Sequence, residues 1–206
     1  MSQYFQIHPE NPQLRLIRRS VEMLREGAVI VYPTDSSYAL GCLIGNKQAM
    51  DRIRAIRELD NRHHFTLVCP DLSVISNYAK IDNVAYRMVR KLAPGPYTFI
   101  FKATHEVPRR LQHPKKKAIG IRIPDNAIVH ALLEELGEPI MSSTLILPGQ
   151  ELPMNDPYEM REQLEHAVDL VIDGGNCGLE ATSVVDFHDG TPQVIREGCG
   201  DTSMFV

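Results

Sequence analysis

Apolar residues recur at helical spacing in some stretches of the chain and form continuous runs in others, and the two patterns interleave from end to end. Leu14, Ile17, Val21 and Leu24 are three or four residues apart, the stripe that buries one face of a helix. Asn11 and Pro12 are placed to cap and open that helix, and Gly27 to stop it just past its last turn. Residues 28–32, Ala-Val-Ile-Val-Tyr, then run without a polar break, as in a strand covered on both faces. Pro33 to Ser37 is a polar turn before a second strand over 38–44. The same reasoning predicts helices over 46–57, 72–78, 82–92, 127–136 and 157–166. It predicts strands over 65–69, 97–101, 119–123, 139–143, 168–172, 183–187 and 193–195. Asp82 caps one helix, Asp125 or Asn126 another, and Gly137 ends the latter.

Helices and strands do not alternate strictly, and 28–32 with 38–44 are close enough to pair antiparallel. The expectation is α/β: a single domain over residues 1–206 with a twisted, mixed, open sheet and helices. No repeat and no long linker interrupts it. Residues 147–157, LPGQELPMNDP, are the least regular and are expected to form a loop over a site.

Composition narrows the class. The chain has 206 residues, 43% apolar and 23% charged, which is ordinary for a globular protein. No apolar run nears the ~20 residues that span a bilayer, and the first ten residues lack a signal-peptide core. A cytoplasmic protein without a membrane partner is expected. Cys42, Cys69, Cys177 and Cys199 form no Cys-x-x-Cys pair and are expected to be reduced. His63 and His64 are adjacent, so no metal site is expected. The oligomeric state stays open.

The net charge of −4 hides a local excess. Residues 108–122 carry Arg109, Arg110, Lys115, Lys116, Lys117 and Arg122 with no acid. Arg52, Arg54, Arg57 and Arg62 form a second basic stretch, diluted by Asp51, Glu58 and Asp60. Such runs fit an anionic ligand or a solvated loop equally well. Phosphate-loop, dinucleotide, zinc-protease and serine-hydrolase motifs are all missing. What remains is hydroxyls at strand ends: Thr34, Ser36 and Ser37 beside Asp35, then Ser142, Ser143 and Thr144, then Thr182 and Ser183. Arg122 lies inside a strand just before Pro124. Hydroxyls and arginines at strand ends suit an anion or amino-acid pocket. The plainer alternatives are turns, helix caps and an arginine paired with a surface acid.

Five stretches resemble one family. PTDSSYALG at 33–41 is similar to the PTDTxYGL signature of the YrdC/YciO family, and APGPYTFIF at 93–101 to its WPGPLTLIL. AIGIRIPD at 118–125 is similar to its RxPxx, TSVVDF at 182–187 to its STVVD, and IREG at 195–198 to its RxGA. They lie in the family's order, cover nearly the whole chain, and stand nearest its enterobacterial YciO branch. The resemblance implies a YrdC-type twisted sheet with a concave basic surface. Family members condense threonine, bicarbonate and ATP into threonylcarbamoyl-AMP for tRNA modification, and the fold is associated with double-stranded RNA.

Residue by residue, the resemblance puts Thr34, Ser36, Arg122, Ser143 and Ser183 on the threonine side. It puts Arg57, Thr144 and Arg196 on the nucleotide side. Two departures stand out. The family's Lys-x-Arg-Pro is here Arg57-Glu58-Leu59-Asp60, and its Ser-Ala-Asn is Thr144-Leu145-Ile146. Leu59 and Ile146 cannot donate to a phosphate. The expectation is therefore a protein that binds RNA (double-stranded RNA or tRNA) and/or a nucleotide, with Arg109, Arg110, Lys115, Lys116 and Lys117 on the RNA. The alternative is a weak or altered threonylcarbamoyl-AMP synthase. Neither needs an intrinsic cofactor; ATP with Mg²⁺ enters as substrate. The three hydroxyl clusters are expected to converge with Arg122 and Arg196.

Overall fold

The computed structural model describes residues 1–59, 63 and 65–205; Asp60, Arg62 and His64 fall outside them. In chain order the elements are β1 (Gln3–Gln6), α1 (Leu14–Arg25), β2 (Ile30–Tyr32), β3 (Ala39–Leu43), α2 (Lys47–Arg57), β4 (Thr66–Val68) and α3 (Leu72–Tyr78). Then come β5 (Ala79–Lys80), α4 (Asn83–Leu92), β6 (Tyr97–Ala103), β7 (Ala118–Arg122), α5 (Ala127–Leu136) and β8 (Ile140–Thr144). The chain closes with α6 (Pro157–Leu164), β9 (Leu170–Asp173), β10 (Ser183–Asp186) and β11 (Gln193–Arg196). Single 3₁₀ turns sit at Arg109–Leu111 and Ser203–Phe205.

The strands make one mixed sheet in the order β1-β9-β2-β3-β8-β4-β7-β6-β10-β11, with β5 on the far end of β6. β1 and β2 run parallel to β9, β4 to β7 and β6 to β10. The remaining neighbours are antiparallel, including the expected β2–β3 pair.

Local chemistry accounts for most boundaries. Asp82 accepts from the Val84 and Ala85 amides, Asn46 from Ala49, and Asn126, not Asp125, from Val129. Gly27 closes α1 at φ +97°, where Ala28 N–H returns to Met23 O and Gly27 N–H to Leu24 O. Two of the boundaries that differ from the sequence reading have a clear local cause. Asn11 does not cap α1; its amide donates to His8 Nδ1 in a preceding turn, and the helix starts after Gln13. Ala28 and Val29 do not join the sheet ladder. The Ala28 amide closes the helix and the Val29 amide donates to Asp169 Oδ2, so pairing begins at Ile30.

The apolar positions divide into two layers. On one face α2, α3, α4 and α6 contribute Ile53, Ile75, Val89 and Met160 against Val31, Leu40, Phe99 and Ile121. On the other, α1 and α5 pack Ile17, Val21, Leu24, Ile128 and Leu132 against Ile30, Tyr32, Leu170 and Ile172. That second layer covers only the β1-β9-β2-β3 half of the sheet and reaches no further than Ile140 and Val68. Among the described residues no helix is long and apolar enough to cross a membrane.

Candidate functional site

The uncovered half of that second face is the floor of a cleft of about 670 Å³. Alternate residues of a strand share a face, and here the shared residues are small, hydroxylated or short apolar ones. Ser142 pairs with Thr66, Thr66 with Gly120, Gly120 with Ile100, and Thr98 with Val184. A Cβ on Gly120 would lie 3.0 Å from Thr66 Oγ1 and 3.3 Å from Thr98 Cγ2, so glycine keeps the floor low.

Arg122 rises from this floor at the end of β7. Its Nη2 donates to Asp35 Oδ1 at 2.6 Å and to Ser36 Oγ at 3.1 Å. Both charged side chains are buried, at 7% and 8% exposure, and among the described residues the buried Arg122 Nε has no hydrogen-bond partner. The other Asp35 oxygen accepts from the Asp125 amide at 2.9 Å. Thr34 Oγ1 organises the turn: it receives the Ser36 and Ser37 amides and donates to Ser37 O at 2.6 Å. The turn that follows a buried strand thus aims a carboxylate and a hydroxyl at one guanidinium.

Two more arginines line the cleft. Arg57, the last residue of α2, donates from Nη1 to Ser143 Oγ at 2.6 Å and from Nε to Ile146 O at 3.1 Å. His63 Nε2 lies 3.3 Å from the same Ser143 hydroxyl. Burial lowers the Arg57 pKa. Arg196 donates from Nε to Thr182 O at 3.0 Å and from Nη2 to Thr182 Oγ1 at 3.2 Å. Thr182 in turn meets Thr98 at 2.8 Å. Burial, and then the charge of Arg122, lower the Arg196 pKa; the two guanidiniums share one field. Glu58, Leu59, Ile146 and Ile195 complete the walls.

The expected site residues divide accordingly. Arg57, Arg122, Ser143, Thr144 and Arg196 line the cleft, and Ser36 reaches it through Arg122. Thr34 is a buried turn organiser. Ser183 points away, its Oγ donating to Gly200 O and receiving Gly198 N–H, because strand alternation turns Thr182 and Val184 to the cleft instead. The hydroxyls therefore gather around three guanidiniums rather than at one point. The 147–157 loop contributes nothing to the walls; Met154 and Asn155 tie it to Leu145 and Cys177. Thr66, Thr98, Gly120, Ile100 and Val184 were not singled out from the sequence, although the alternation within 97–101 and 183–187 carried the signal.

The basic run also divides. Arg110 Nη2 donates to Gly45 O, and Lys116 Nζ pairs with Asp186 at 3.2 Å on the outer strand of the cleft floor. Arg109 and Lys117 line a separate hollow of about 1130 Å³ with Lys80, and Lys115 is exposed nearby. Among the described residues no group of three His, Cys, Asp or Glu could hold a metal ion, and all four cysteines are free.

A family model named Sua5_yciO_yrdC, described as telomere recombination, matches residues 22–198. The chain belongs to the Sua5/YciO/YrdC family. It is 56% identical to the uncharacterised YciO protein of Escherichia coli over 206 residues, the whole of both chains. The crystal structure of E. coli YciO matches it with a TM-score of 0.97 over 100% of each. A threonylcarbamoyl-AMP synthase of Chromobacterium violaceum is 33% identical over 144 residues, 69% of this chain and 74% of that one. The P. abyssi Sua5 structure solved with L-threonine shares the fold, with a TM-score of 0.87 and 22% identity over 96% of this chain and 58% of that one. The expected YrdC-type mixed sheet and the affinity to the YciO branch are thus both found, and the chain is related to threonylcarbamoyl-AMP synthases.

Proposed function

We propose that the cleft binds an amino acid and an adenylate side by side, the carboxylate on Arg122 and the phosphate on Arg196, with Arg57 on the opposite wall. One observation carries this reading: three guanidiniums line a single cleft whose floor is hydroxyl, glycine and short apolar side chains. Guanidinium forks suit carboxylates and phosphates, and threonine hydroxyls serve the remaining donors and acceptors. The relatives support it, since one is a threonylcarbamoyl-AMP synthase and another was solved with L-threonine. Calorimetric titration tests it. L-Threonine and AMP should each bind wild type, Arg122→Gln should lose threonine, and Arg196→Gln should weaken AMP. No heat with either ligand overturns it.

Synthesis of threonylcarbamoyl-AMP from ATP, threonine and bicarbonate is, on this reading, weak. Leu59 and Ile146 place apolar groups on the wall beside Arg57, and a lost donor to a developing charge costs ~10²–10³ in rate. Mg²⁺ would arrive with ATP. Pyrophosphate release equal to that of an efficient family synthase would contradict it. Such chemistry belongs in the cytoplasm, where tRNA and ATP are found.

A second reading rests on the basic loop. Lys116 brings it to the outer edge of the cleft floor, while Arg109, Lys115 and Lys117 are exposed. Duplex RNA or tRNA would lie across the cleft mouth through phosphate contacts. Its affinity should fall with salt at a slope of roughly −0.7 to −0.9 per phosphate contact. Changing Lys115, Lys116 and Lys117 to Ala should weaken binding regardless of sequence; salt-insensitive binding removes the reading.

A further inference from the structure

The charges and dipoles around the cleft bear on how many phosphates it can hold. Among the described residues, three guanidiniums meet two carboxylates there: Asp35 on Arg122, and Glu58 on the wall beside Arg57. Among the described residues these five side chains sum to one positive charge. Arg57 and Arg196 each commit two of their three nitrogens to protein acceptors, Ile146 O and Ser143 for the one, Thr182 for the other.

The Arg57 end is also the C-terminal end of α2, an 11-residue helix closed by Glu58 in the left-handed conformation at φ +50°. A helix C-terminus carries partial negative charge from its unmet carbonyls, the reverse of the N-terminal ends that cradle phosphates. Glu58 adds a full negative charge, and Leu59 and Ile146 add hydrocarbon. A single phosphate on Arg196, beside Thr182 and Thr98, is well served. A β- or γ-phosphate pushed further would meet, besides His63, a carboxylate, a helix C-terminus and two apolar side chains.

We infer that this cleft selects a nucleoside monophosphate, free or joined through its phosphate to an acyl group, over the nucleoside triphosphate. The inference rests on the reading of the cleft as an adenylate site and sharpens it. Binding the triphosphate desolvates charges that find no partner, whereas the monophosphate leaves the wall beside Glu58 in water.

The test is calorimetry on the full chain with AMP, ADP and ATP, each with and without Mg²⁺, and L-threonine as a further ligand. AMP should bind at least tenfold tighter than ATP, with ADP between them. Glu58→Gln and Leu59→Arg should each raise ATP affinity more than AMP affinity and narrow that gap. ATP binding as tightly as AMP would overturn the inference while the adenylate reading stands. A tenfold gap that neither folded variant narrows would overturn it too, because the wall would then not be its cause. Heat from none of the four ligands would remove the adenylate reading and this inference with it. The wild-type ratio decides even if a variant fails to fold.

Discussion

Arg122 and Asp35 are 87 positions apart in the chain and 2.6 Å apart in the fold. Each is flagged by its own neighbourhood, one as an arginine in a strand and the other as a carboxylate in a turn. Local spacing says nothing of their pairing. Removing one partner of a buried ion pair strands the other charge, at a cost of about 3–5 kcal/mol. Arg122→Ala should therefore destabilise the chain by that amount in urea unfolding, and adding Asp35→Ala should recover part of it. A double-variant loss equal to the sum of the two single losses would mean the pair is not energetically coupled.

The buried thiols make a second residue-scale prediction. Burial pushes the Cys42 and Cys69 thiols up from 9.0 to about 12, and Tyr32 from 10.0 to about 12. The folded chain thus holds these protons longer than the unfolded chain. Their contribution is complete below about pH 9 and is lost as pH rises towards about 12. Urea midpoints should fall across that window, and Cys199, the exposed thiol, should be alkylated before Cys42 and Cys69. A flat midpoint would contradict the linkage.

At the scale of elements, helices were legible wherever a cap and a stripe coincided. In α4 the cap is as expected, with Asp82 receiving two amides, but of the expected stripe Met88 and Leu92 pack on the core while Val84 is exposed, and Ala85 and Val89 take the buried positions. Asp82→Ala should cost about 0.5–2 kcal/mol, read as a shift in urea midpoint with unchanged slope. α1 was misplaced at its start because His8, not Asn11, organises the preceding turn. β1 went unread because Gln3–Gln6 has only Tyr4 and Phe5 between two glutamines and its partner β9 lies at the other end of the chain. Loops matter to the site through close approach. A Cβ on Gly178 would stand 2.5 Å from Ser36 O, a contact with backbone that cannot swing aside. Gly178→Ala should shift the turn that holds Ser36 and Asp35, costing about 1–3 kcal/mol and weakening threonine binding. Unchanged threonine affinity would show that the 33–37 turn does not define the site.

For the molecule as a whole, what places the site is the unequal covering of one sheet. Two helices reach across only half of its second face, and the other half is left to Thr66, Thr98, Gly120 and Thr182. Strands over 65–69, 97–101 and 183–187 were readable, but not which of their faces would lack a helix, since that depends on the sheet order. The family motifs supplied the arginines and hydroxyls. The fold supplied the alternation that selects Thr182 over Ser183, and it divided the basic run between Gly45, Asp186 and a separate hollow.

The central claim is that the uncovered half-face is where a carboxylate and a phosphate bind together. Methyl NMR on Ile-, Val- and Thr-labelled protein tests it directly, with L-threonine and AMP added singly and then jointly. The account predicts shifts at Ile100, Val184, Ile195, Thr98 and Thr182, and none at Val107 beside the separate hollow. Shifts confined to Val107, with the floor residues silent, would contradict it.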